Sequence, residues 1–156
     1  MIFISETNLD YDALPSFKDF TTVADPSKKI CTYDGIAWYV RNSLAKHMFQ
    51  VQFNEVYISF RLRLVPNFVF IGVYVQPEGA RNFDVHMFAE VGALLADCDQ
   101  KGLIPYVGGD FNSRPGDLHL INTDTTWTYV KNIDSKTNKH GRTLFRDLCC
   151  SWMNKR

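Results

Sequence analysis

The stretch Leu103-Ile104-Pro105-Tyr106-Val107-Gly108-Gly109-Asp110-Phe111-Asn112-Ser113-Arg114-Pro115-Gly116-Asp117 decides how the rest of the chain is read. Its apolar half, Leu103 to Val107, has the length of a buried strand. That strand is expected to end at Gly108 and Gly109, which lack a Cβ and allow a sharp turn or the close approach of a ligand. Asp110 and Asn112 follow, two residues apart. In extended backbone such residues point to one side, so a carboxylate and a carboxamide would aim at one place. A hard cation with a phosphate suits that pair. Taken alone, the stretch has a plainer reading, a polar turn after a buried strand.

Working outward, a chain of 156 residues fits one domain with a real core. Its 46% hydrophobic and 22% charged residues are those of an ordinary globular protein. The 12 Phe and 7 Tyr favour a strand-rich core. Lys+Arg and Asp+Glu are equal at 17 each, so any polyanion binding must come from local charge placement. Cys31, Cys98, Cys149 and Cys150 form no Cys-x-x-Cys pair, which argues against zinc, a redox motif and a disulfide partner. A reducing, intracellular setting (cytoplasm or nucleus) is the expectation. No apolar run reaches membrane-spanning length, and Met1 to Glu6 reads as a strand rather than a signal peptide.

Period-two alternation predicts a half-buried strand from Val56 to Leu64, and Pro66-Asn67 is expected to turn the chain into a buried strand, Phe68 to Val75. Shorter strands are expected at Ile2–Ser5, Ile36–Val40, Gln50–Phe53 and Trp127–Val130. Asn8 to Lys29 reads as loop, with a turn of helix around Asp12 to Phe20. Val85, Phe88, Val91, Leu94, Leu95 and Cys98 fall at helical spacing, with Asn82 as N-cap and Gly102 at the C′ position. A second helix is expected from about Asn138 or Gly141 to Trp152. Antiparallel pairs dominate the first half, so the fold class is α+β, in layers, as a single domain spanning residues 1–156.

Several strands end in residues with chemistry: Ile2–Ser5 at Glu6, Phe68–Val75 near Tyr74, and Leu103–Val107 near Asp110 and Asn112. Brought together, two carboxylates would call for a divalent cation, and a phenol could donate to a phosphate oxygen. Singly, Glu6 reads as a solvated strand end and Tyr74 as a core aromatic.

At these residues the chain resembles the endonuclease/exonuclease/phosphatase superfamily. Ser5-Glu6-Thr7-Asn8-Leu9 looks like its metal-binding Glu motif and Val73-Tyr74-Val75-Gln76-Pro77 like its Tyr-x-x-Pro segment. Gly109-Asp110-Phe111-Asn112 matches its Gly-Asp-Phe-Asn signature. Gly35-Ile36-Ala37-Trp38-Tyr39-Val40-Arg41-Asn42-Ser43 and Asn138-Lys139-His140-Gly141-Arg142 are closest to the endonuclease domain of non-LTR retrotransposons. The resemblance implies a four-layer α/β/β/α sandwich and nicking of DNA by metal-dependent phosphodiester hydrolysis. It makes Glu6 a ligand of Mg2+ or Mn2+, with Asp110 and Asn112 in the same metal site. Tyr74 would contact the scissile phosphate. Asp110 would orient or deprotonate the attacking water, and Asn112 would hold that water and a phosphate oxygen.

The chain departs from the pattern in two places. No Trp-Asn pair precedes Glu6, and no Ser-Asp-His occurs; His47, His86, His119 and His140 do not replace it. The resemblance therefore implies an incomplete sandwich, truncated at both ends and lacking the first and last strands, and weak or inactive by itself. The alternatives are a non-catalytic remnant or interaction module, or another phosphodiesterase or phosphatase of the superfamily. Lys131, Lys136, Lys139, His140 and Arg142 form a local basic cluster that reads either as a phosphate-facing surface or as a solvated loop.

Overall fold

The computed structural model describes residues 1–26, 35–77, 79–80 and 86–113, together with Lys139 and Arg142. The class is α+β, with two sheets. β1 (Ile2–Ser5), β2 (Phe20–Val23) and β3 (Ile36–Arg41) form an antiparallel sheet in the order β1-β3-β2. A one-turn helix, α1 (Asn42–Ala45), leads to β4 (Met48–Phe53), β5 (Tyr57–Leu62) and β6 (Val65–Tyr74). Helix α2 (His86–Gln100) then crosses to β7 (Ile104–Asp110), which pairs parallel to β6, giving the order β4-β5-β6-β7. The chain divides into two compact units, residues 1–74 with 93–110, and residues 75–92 with 111–156. Both sheets lie in the first unit.

The sheets meet through one face of each. Alternation puts Trp38 and Val40 of β3 and Ile58, Phe60 and Leu62 of β5 into one buried cluster. Phe60 is fully buried, with Trp38 edge-on at 5.4 Å and Phe70 stacked at 5.6 Å. The Trp38 indole donates to the Ile58 carbonyl at 3.3 Å, so its one polar atom is satisfied within the core. On the opposite face of β3, Ala37 and Tyr39 pack with Ala24, Ile4, Leu14 and Phe20.

Three local readings need correction. Phe20 to Val23 is strand β2, and the helical turn before it shrinks to a single 3-10 turn at Tyr11–Ala13. Its four residues, two of them Thr, are too few to show an alternation. Pro66-Asn67 does not turn the chain; both lie inside β6. Leu62 pairs with Val65 but Arg61 with Val69, so β6 carries extra residues in a bulge. Proline, without an N–H, is tolerated there, and its carbonyl accepts the Arg61 Nε at 2.9 Å and also Nη2. Thirdly, β7 does not stop at the glycines but runs through both to Asp110.

Gly102 sits at the C′ position of α2 with φ +63. Its N–H donates to the Asp99 carbonyl at 3.0 Å, and the Leu103 N–H to Cys98 at 2.8 Å, the pair of bonds of a Schellman motif. Asn82 lies outside the described residues, as do Trp127–Val130 and all of the expected second helix except Lys139 and Arg142, which are helical and exposed. Among the described residues no helix is long and apolar enough to cross a membrane.

Two buried acids give the fold a pH dependence. Burial pushes the Cys98 thiol up, with a further contribution from Asp97, and burial alone raises the Tyr39 hydroxyl. Each holds its proton more tightly folded than unfolded. Stability is therefore intact below the ordinary range of these groups and falls as pH rises past about 8.5 to 10. The Tyr39 hydroxyl has no hydrogen-bond partner among the described residues. Thermal melts across this range are expected to show a declining midpoint in the native chain and a smaller decline in Tyr39→Phe. That variant loses no hydrogen bond among the described residues and at neutral pH should stay within about 1 kcal/mol of the native protein.

Candidate functional site

Glycines let two strands deliver their ends to one place. At Gly72 of β6 a Cβ would stand 2.3 Å from the Phe3 ring and 2.6 Å from the Trp38 indole nitrogen. The missing side chain is thus the space in which β1 seats Phe3 against the second sheet. Two residues beyond Gly72, on the same face, is Tyr74. Shortly beyond Phe3 is Glu6. The Tyr74 hydroxyl donates to Glu6 Oε1 at 2.7 Å. Tyr74 is buried, whereas Glu6 is exposed, so the phenol fixes one carboxylate oxygen and leaves the carboxylate facing solvent.

β7 brings the third group. Phe70 pairs with Tyr106, Gly72 with Gly108, Val73 with Gly109 and Tyr74 with Asp110. Residues paired this way in a parallel sheet share a face, and the Phe70 and Tyr106 rings, 5.9 Å apart, mark that face. Asp110 therefore stands beside Tyr74, exposed at the sheet end. Gly109 makes the pairing possible. Its φ is +147, and a Cβ there would lie 1.9 Å from the Val73 carbonyl oxygen. The close approach it permits is of neighbouring backbone.

Asn112 does not follow the alternation expected of it. The strand ends at Asp110, Asn112 has φ +44, and its Nδ2 donates to the Val75 carbonyl at 2.8 Å. Asn112 belongs with Val75 to the second unit, whereas Glu6, Tyr74 and Asp110 belong to the first.

The loop after β1 holds residues that spacing did not single out. Glu6 and Asn8 both have left-handed backbone, φ +53 and +49. Such conformations cost roughly 1–2 kcal/mol for a non-glycine residue, least for Asn. The Asn8 side chain donates to the Glu6 carbonyl at 3.1 Å, and the Thr7 N–H to Gly35 at 3.2 Å. Gly35 has φ +125, and a Cβ on it would meet Thr7 Oγ1 at 2.1 Å. Asn8, Thr7 and Gly35 thus shape the turn that presents Glu6. The available signal was the Thr-Asn following Glu6 and a glycine opening β3, since Asn and Gly are the residues that accept left-handed backbone.

Two carboxylates at one sheet end form a hard-oxygen donor set. Among the described residues no group of three or more His, Cys, Asp or Glu side chains could enclose a metal. Mg2+ does not need such a cage, because it keeps most of its waters and binds one or two carboxylates plus phosphate oxygens. Glu6 and Asp110 fit that mode. No family model, curated protein or solved structure matches this chain.

Proposed function

We propose that the chain carries a divalent-metal phosphodiesterase site of the endonuclease/exonuclease/phosphatase kind, acting on DNA as in the endonuclease domain of non-LTR retrotransposons. The observation that carries the reading is the convergence of Glu6, Tyr74 and Asp110, from three separate strands, at one end of the paired sheets. Two sheets that face each other support it, since the four-layer sandwich this reading calls for would need such a pair as its inner layers. Ordered motifs from Glu6 to Cys150 support it further.

Mg2+ or Mn2+ would rest on Glu6, with Asp110 in the same site. When bound, it supplies positive charge where the phosphate oxygens become more negative in the transition state. Asp110 accepts a proton from, or orients, the attacking water. Tyr74 holds the Glu6 carboxylate through its hydroxyl, a positioning role in place of the direct phosphate contact the resemblance implies. Asn112 fixes the Val75 carbonyl and with it the backbone after β6. No imidazole of an Asp-His pair is present in the 156 residues. Where catalytic groups act as a unit, the loss of one costs orders of magnitude, so the expected rate is low.

The test is conversion of supercoiled plasmid to open circle at high protein concentration with Mg2+ or Mn2+. Slow nicking is expected, abolished by EDTA and reduced at least tenfold in Asp110→Ala. Nicking unchanged in Asp110→Ala would overturn the assignment of the site. No nicking above the metal-free blank would favour the second reading, a non-catalytic module derived from such a domain.

A further inference from the structure

Glu6 reaches Tyr74 against the direction in which β1 would send it. Side chains along β1 alternate between two faces. Phe3 lies on the face toward the second sheet, against Gly72 and Trp38. Ile4 lies on the other, with Ala37 and Tyr39. An extended Glu6, two residues after Ile4, would project from the face of Ile4, away from Gly72 and Tyr74. Its backbone leaves the strand instead. Antiparallel strand residues have φ of about −140°, whereas Glu6 has φ +53. The difference is about half a turn around the N–Cα bond, enough to carry the Cβ from one side of the strand to the other. With that reversal the Glu6 carboxylate accepts the Tyr74 hydroxyl at 2.7 Å.

Glutamate leaves left-handed backbone unless its surroundings hold it there. Here the peptide group that follows Glu6 is held at both of its ends. Its carbonyl, that of Glu6, accepts the Asn8 Nδ2 at 3.1 Å. Its N–H, that of Thr7, donates to the Gly35 carbonyl at 3.2 Å, at the start of β3. The second bond is backbone to backbone, so Asn8 supplies the side-chain clamp. Asn8 itself stands at φ +49, which asparagine accepts more readily than most residues.

From this geometry we infer that Asn8 is a positioning residue: through the peptide between Glu6 and Thr7 it locks the reversed backbone that aims the Glu6 carboxylate at Tyr74, and so sets the affinity of the site for a divalent cation. The inference rests on the metal-site reading of Glu6 and Asp110 and adds to it a residue that acts only through Glu6. Without the clamp the carboxylate spends part of its time turned toward the Ile4 side. Apparent affinity falls in proportion to the fraction that remains correctly aimed.

N8G is the decisive variant, because glycine keeps left-handed backbone accessible and only the side-chain donor is lost. The Mn2+ affinity of the full chain, read from the electron paramagnetic resonance of the free ion, is expected to fall roughly three- to tenfold in N8G, the equivalent of one hydrogen bond. The HN–Hα coupling of Glu6, which reports its φ, is expected to move toward strand values, with thermal melts showing that N8G is folded. N8A removes the same donor and gives the same two readings should N8G not fold. E6Q/D110N separates this inference from the reading beneath it. If E6Q/D110N abolishes Mn2+ binding while a folded N8G binds as the native chain does, or keeps the native Glu6 coupling, Asn8 does not position the site. If the native chain and E6Q/D110N bind Mn2+ equally, the metal site itself is absent and the inference falls with it.

Discussion

Gly109→Ala is expected to destabilise the fold by about 3–5 kcal/mol, whereas Gly108→Ala, one residue away, should change it by no more than about 1 kcal/mol. The Cβ of Gly109 would stand 1.9 Å from the Val73 carbonyl oxygen and 2.8 Å from Val73 C and N, all backbone atoms of the paired strand. No rotamer change can relieve that contact, and φ +147 is open to glycine alone at low cost. A Cβ on Gly108 meets nothing within 4 Å. Urea unfolding of the two variants separates the effects. Equal, small losses would mean that β7 does not pair with β6 in the register that sets Asp110 beside Tyr74.

Phe60→Ala should cost about 3–5 kcal/mol, a large part of the 5–15 kcal/mol typical of a domain. Phe60 is fully buried between Trp38 and Phe70, so truncation opens a cavity at the contact of the two sheets. Phe60→Leu should lose roughly half as much. The chemical denaturation midpoint measures both. A midpoint shifted by less than about 1 kcal/mol in Phe60→Ala would show that the sheets do not meet through this residue.

Much of the fold was legible because β5 carries a clean alternation, Ile58, Phe60 and Leu62 inward, and because α2 ends on a glycine at the C′ position. What failed to show has physical causes. β2 is too short for a period. The β6 bulge places a proline inside a strand, where proline ordinarily signals a turn. The need for Gly109 comes from Val73, 36 residues earlier, and no local pattern encodes it.

The candidate site was legible as strand ends carrying Glu6, Tyr74 and Asp110. Which groups touch was not: the Tyr74 hydroxyl is engaged by Glu6, and Asn112 by the Val75 carbonyl. The alternation that put Asp110 and Asn112 on one side holds only while backbone is extended, and at Asn112 it is left-handed. The supporting roles of Asn8, Thr7 and Gly35 depend on a turn that closes between β1 and β3, far apart in sequence.

We propose that Glu6 and Asp110, organised by Tyr74, make one site for a hard dication. Titration of the nitrogen-15-labelled chain with Mn2+, followed by amide line broadening, tests it most directly. Selective broadening of the amides around Glu6, Tyr74 and Asp110 is expected at substoichiometric metal, and its loss in E6Q/D110N. Broadening centred on other residues, or unchanged in E6Q/D110N, would contradict it.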